Sequence, residues 1–142
     1  MLPTRAALAL SLVLSSLAFS PANARILPDP NDYCTTAWVT TAIKRQVDSK
    51  YRRYIGRDLF LIDIVNPRLT LEMPRDEMHN VGRQFCHARA VMSDGRDRDL
   101  WYLLEKPWGF AGMPGTSGLE FCISGLDPWH VYGKNCSTVR GW

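Results

Sequence analysis

The sequence predicts an α+β domain, with one N-terminal helix packed on a curved antiparallel sheet and held by disulfides. Three observations predict it. Apolar residues recur every fourth position at Val39, Ile43, Val47 and Tyr51, the repeat of a helix with one buried stripe. From Leu59 onward the repeat falls to two within short runs separated by turn residues, as in strands with one buried face. Four cysteines, Cys34, Cys86, Cys122 and Cys136, are distributed over the helical and the strand segments. A helix and a strand meander each expose one apolar side, and packing the two together buries both.

The chain has 142 residues, 46% hydrophobic and 22% charged. These values describe one ordinary domain and exclude collagen, a coiled coil and a mostly disordered chain. A net charge of +3 is too small for a nucleic-acid footprint, so no nucleic-acid partner is expected.

Residues 1–24 have the build of a secretory signal peptide. Arg5 supplies the positive start, Ala6 to Phe19 the apolar run, and Ser20-Pro21 the break. Ala22-Asn23-Ala24 is an A-x-A cleavage site, which leaves residues 25–142 as a single domain with an irregular C-terminal tail. The apolar run is shorter than the roughly 20 residues a span needs, so no membrane span is expected after cleavage. The expected location is the periplasm or the outside of the cell.

In the mature chain, Pro28 and Pro30 give an extended lead-in, and Asn31 or Asp32 can cap the helix that follows. The helix is expected from Tyr33 to about Ile55, with Cys34, Trp38 and Ala42 beside the main stripe and Gly56 ending it. Trp38 is expected in the core. Lys50, Arg52, Arg53 and Arg57 crowd its last turn, where they complement the helix dipole or offer a cationic patch. Leu59 to Val65 suits a strand broken at Asn66-Pro67, and Leu69, Leu71 and Met73 alternate with polar residues in the next. Pro74 to Gly82 is a polar loop, and Arg83 to Met92 is again a strand. Ser93 to Asp97 is a turn, and Asp99 to Lys106 answers with Leu100, Tyr102 and Leu104 on one face. Pro107 to Gly118 is a glycine-rich loop, Leu119 to Ser124 the last strand, and Gly125 to Trp142 the tail.

An even number of cysteines behind a signal peptide implies two disulfides. Cys86, Ala88 and Ala90 share one strand face, and small side chains there let a helix approach closely. Cys86 then meets Cys34. Phe121 and Ile123 point inward, which turns Cys122 outward to Cys136 in the tail. The expected pairs are 34–86 and 122–136. No C-x-x-C occurs, and His79, His87 and His130 lack ligand spacing, so no metal and no cofactor is expected.

No catalytic constellation stands out. Gly115-Thr116-Ser117-Gly118 is not a nucleophile elbow, so a triad of Ser117, His130 and Asp127 has no support. The glycine-rich loop lacks the lysine of a phosphate loop, and Asp76 and Glu77 are paired only in sequence. Trp101 lies on the face opposite Leu100 and Tyr102. Trp108, Phe110, Trp129, Tyr132 and Trp142 sit in loops or the tail. Aromatic rings among glycines and polar groups suit stacking on sugars or insertion into a partner pocket. Trp108, Phe110, Trp129 and Tyr132 are therefore the candidate binding residues, with Arg89 as polar anchor.

The element order resembles the cystatin-like roll and the cone-shaped sheet of the ketosteroid-isomerase type, although the Gln-x-Val-x-Gly loop of cystatins is absent. The stretch from Trp101 to Cys136 is similar to small exported bacterial proteins of unknown function, which implies no activity and no site residues. The expected function is that of an exported binding or structural protein whose partner is another protein or a cell-envelope glycan. The alternatives are a small hydrolase or isomerase using the concave face of the roll, and an inhibitor-type partner of a secreted protein.

Overall fold

The computed structural model describes residues 31–51, 53, 58–106 and 118–141. The signal segment, Trp108, Phe110 and Trp142 lie outside the described residues. Helix α1 (Ala37–Lys50) precedes strands β1 (Leu61–Met73), β2 (Gly82–Met92), β3 (Asp97–Lys106) and β4 (Leu119–Ile123). All neighbours run antiparallel in the spatial order β1-β2-β3-β4. The α+β class is as expected, with both disulfides in the expected pairing, Cys34–Cys86 and Cys122–Cys136.

Helix α1 starts four residues later than its periodicity implies. The Asp32 carboxylate accepts from Cys34 N–H at 2.8 Å, and Thr36 N–H and Oγ1 both donate to the Tyr33 carbonyl. These local bonds hold residues 32–36 in a turn, a common rival to helix at Asp and Thr. From Thr36 the helix runs on, with Val39, Ile43 and Val47 fully buried. Each such side chain contributes roughly 1.5–3 kcal/mol of transfer free energy. Trp38 is not core. It is 42% exposed, because a residue one position before Val39 sits on the flank of the stripe.

The Asn66-Pro67 signal does not end a strand. β1 continues through it with register shifts between Val65 and Arg68 and at two further places. Asn66 takes a positive φ of 54°, which Asn tolerates better than most residues. Pro67 lacks an N–H, and β1 is an edge strand, so no sheet bond is lost on its free side. The turn signal is absorbed as a bulge.

The sheet is covered on both faces. On the inner face, α1 packs on Ala88 and Ala90 of β2, Leu100 and Tyr102 of β3, and Phe121 and Ile123 of β4. The Tyr102 hydroxyl donates to the Cys34 carbonyl at 2.7 Å, beside the first disulfide. Ala88 is fully buried in this layer. Its replacement by Leu is expected to cost about 1–3 kcal/mol through overpacking, read as a lower urea midpoint at unchanged m-value. An unchanged midpoint would contradict close approach of the helix at that point.

On the outer face, the tail that looks irregular in sequence is a packed layer. A single 3-10 turn, Lys134–Cys136, leads into the short helix α2 (Ser137–Arg140). Cys136 and Val139 join Phe85, Leu103 and Cys122 in a second core, with Trp101 and Tyr132 packed against it. Gly141, at φ 85°, closes the layer. A Cβ there would sit 2.9 Å from Phe85 Cγ and 3.0 Å from Leu71 Cδ2, so only glycine fits this approach.

Candidate functional site: an apolar groove beside strand β4

Three elements converge beside β4. The end of α1 brings Lys50 and Tyr51, and β4 brings Phe121 and Ile123. The third element is the loop closed by the second disulfide, whose cysteines are 14 positions apart. It contributes Leu126, Pro128, Trp129, Val131 and Tyr132. Together they enclose a groove of about 310 Å³.

The loop keeps its shape through bonds within itself. Asp127 Oδ1 accepts from Val131 N–H at 3.0 Å, and Oδ2 accepts from Tyr132 N–H at 2.9 Å. The Asp127 carbonyl accepts from His130 N–H, and the His130 carbonyl from Gly133 N–H. A carboxylate that accepts from the amides four and five residues on fastens the loop from within. At the loop tip, Trp129 is 65% and Val131 69% exposed. Tyr132 turns back and packs against the second core. Trp129 and Tyr132 thus belong to one groove but differ in kind. The first is presented to solvent, and the second is part of the framework.

The electrostatics reflect a dry floor. Lys50 Nζ lies 4.5 Å from the centre of the Phe121 ring, a cation–π contact. Burial pushes the Lys50 pKa down, and the charge of Glu120 offsets part of that shift. Burial pushes the Tyr51 hydroxyl up, with Asp127 adding to the shift. That hydroxyl donates to the Leu126 carbonyl at 3.4 Å. Burial also raises Tyr132, with Glu120 and Asp127 contributing. The groove therefore offers aromatic and aliphatic surface, one partly desolvated cation, and the polar groups of Asp127 and Tyr51 already bonded within the fold.

Arg89 does not join this site. It lies on β2, two strands from β4, with Nη1 bonded to Asp99 Oδ1 at 3.1 Å. The same carboxylate oxygen receives His87 Nε2 at 3.0 Å, and the His87 ring lies tilted against Trp101, centroids 4.2 Å apart. The Arg140 guanidinium lies over the Trp101 ring, 5.4 Å from its centre. The bonds from His87 and Arg89 hold the Asp99 carboxyl below the usual range, His87 contributing more. Trp101, on the face opposite Leu100 and Tyr102, is thus a covered ring of the outer layer. Arg89 serves this charged ladder rather than an aromatic contact surface.

Of the other groove residues, Lys50 is offered by the sequence only as part of a cationic patch with Arg52, Arg53 and Arg57, and Tyr51, Phe121, Ile123, Leu126 and Val131 not as site residues at all. One signal was available. Leu126, Pro128 and Trp129 place apolar side chains and a stiff proline between two cysteines, which marks a loop presented on a covalent frame.

Among the described residues, no three His, Cys, Asp or Glu side chains group as metal ligands. No helix among them is long and apolar enough to cross a membrane. The chain matches no family model, no curated protein and no solved structure.

Proposed function

We propose that this is an exported bacterial binding protein, periplasmic or secreted after cleavage near Ala24. Its contact surface is the groove walled by the loop Leu126–Tyr132. The observation that carries the reading is Trp129, a large ring 65% exposed on a loop fastened by Asp127 and closed by a disulfide. Solvent-exposed tryptophan lowers solubility and contributes little to stability, whereas rigid aromatic anchors dominate binding surfaces. The disulfides support the location, because such bonds persist in oxidising compartments. The partner is a protein or a glycan of the cell envelope. The sheet face beneath α1 is filled by Ala88, Leu100 and Tyr102, all fully buried, so the binding reading is favoured over chemistry on that face.

The test is Trp129→Ala in the full chain. Partner capture is expected to weaken at least about tenfold, in the range of an interface hot spot. The melting temperature is expected to move by less than about 2 °C, as for an exposed side chain. Tyr132→Ala serves as contrast and should lower both. A collapse of stability in Trp129→Ala, or unchanged capture, would refute the reading.

A further inference from the structure

The groove offers side chains to a ligand and almost no backbone. Leu119, Phe121 and Ile123 are 7%, 3% and 1% exposed, and the Ile123 carbonyl already accepts from Leu126 N–H at 3.0 Å. A ligand therefore meets the rim, where Pro128, Trp129 and Val131 are exposed. Lys50 lines the same groove, half-buried, with its ammonium 4.5 Å from the centre of the Phe121 ring. Among the described residues, no carboxylate forms an ion pair with that ammonium, and Glu120 acts on it only through longer-range attraction. A cation that has lost part of its water gains from an opposing charge that a ligand brings close. The volume of about 310 Å³ lies at the small end of ligand pockets, which run from roughly 300 to 1,000 Å³. It suits one large side chain and its neighbour, not a folded element.

Resting on the groove as contact surface, we infer that its occupant is a protein partner that seats one large apolar side chain against Trp129 and Val131 and sets a neighbouring carboxylate against Lys50. Side chains alone make these contacts, so the covered edge of β4 stays as it is. A single apolar anchor in a rimmed pocket carries much of the energy of many protein interfaces. The anchor also displaces water from the rim, and an ion pair formed beside it is screened less than one in open solvent. The pair selects the partner, because a basic segment would bring like charges together. A sugar is the poorer match. Its ring can stack on Trp129, but its hydroxyls would lie against Leu126, Pro128 and Val131. Both Asp127 oxygens and the Tyr51 hydroxyl are bonded within the fold. Hydroxyls that lose water without new partners weaken binding.

The test uses the full chain with both disulfides intact and a displayed library of random octapeptides. The selected peptides are resynthesised, and chito- and malto-oligosaccharides are titrated in parallel. The expected peptides share one large apolar residue beside Asp or Glu. Alanine in place of the apolar residue should weaken binding at least about tenfold. Exchange of the peptide's acid for its amide should weaken binding to the wild type about fivefold, and to Lys50→Gln less than about twofold. Glu120→Gln removes a competing carboxylate and should strengthen the acidic peptides about twofold. That variant gives an independent reading where Lys50→Gln disturbs the end of α1. If the selected peptides depend on Trp129 but carry no acid, or bind wild type and Lys50→Gln alike, the charged contact is wrong and the groove reading survives. The inference is equally wrong, and the groove again survives, if only oligosaccharides bind through Trp129. If no peptide or sugar responds to Trp129→Ala, both fall.

Discussion

Replacing Cys34 and Cys86 together by Ala is expected to cost about 4 kcal/mol of stability, the value for a crosslink closing a loop of this length. The two cysteines are 52 positions apart, and the bond ties the segment just before α1 to the second strand of the sheet. Its loss releases the largest loop in the unfolded chain. It also removes an anchor from the Cys34 carbonyl that Tyr102 holds at 2.7 Å. Domains of this size have a stability of only about 5–15 kcal/mol. The variant should therefore lie near the edge of folding at body temperature. Urea unfolding of wild type and variant measures the cost. Intact mass of the wild-type chain with and without alkylation verifies that no thiol is free. A cost below about 1 kcal/mol would show that the inner layer holds α1 without the bond.

Replacing Cys122 and Cys136 together by Ser should cost about 3 kcal/mol, because the closed loop is shorter, its cysteines 14 positions apart. The functional consequence is larger than the difference in stability implies. Every groove residue from Leu126 to Tyr132 lies inside this loop. Cys122 and Cys136 are also members of the outer core with Val139. Without the bond, the Asp127 fastening remains but its frame loosens, and the groove wall exchanges among conformations. The expected readout is a binding loss greater than that of the Cys34–Cys86 variant, even in conditions where both variants remain folded. Equal loss of binding in both would mean that binding tracks global stability and not this loop.

Much of the architecture follows from the pattern of side chains. The four-residue repeat of Val39, Ile43 and Val47 places α1 on the sheet. The alternation of Cys86, Ala88 and Ala90, and of Phe121, Cys122 and Ile123, assigns both disulfides through the facing of each strand. Such alternation is robust where a face is buried, because a slip of one residue would turn apolar groups to water. What stayed hidden has local or long-range causes. Asn66-Pro67 has the chemistry of a turn, and it is a bulge here because β1 has no further strand on its free side among the described residues. The late start of α1 reflects competition from the Asp32 and Thr36 bonds. The tail has no periodicity, and its order comes from the disulfide and the outer core. In the groove, Trp129 and Tyr132 were recognisable as loop aromatics. Their meeting with Lys50 and Tyr51 was not, because the ends of α1 and β4 are joined only by the tertiary fold. Lys50 had two readings in the sequence, the helix dipole or a patch with the neighbouring arginines, and neither placed it over an aromatic ring of β4.

The most direct test of the groove as contact surface is site-specific photo-crosslinking in the cells that make the protein. A benzoylphenylalanine is placed at Val131, on the groove rim, and separately at Met78, in the loop between β1 and β2. Both positions are highly exposed and apolar, so the pair controls for general stickiness. A contact surface at the groove gives a discrete adduct from position 131, lost when Trp129 is also replaced by Ala, and none from position 78. Adducts from position 78 alone, or equally from both, would contradict a contact surface there.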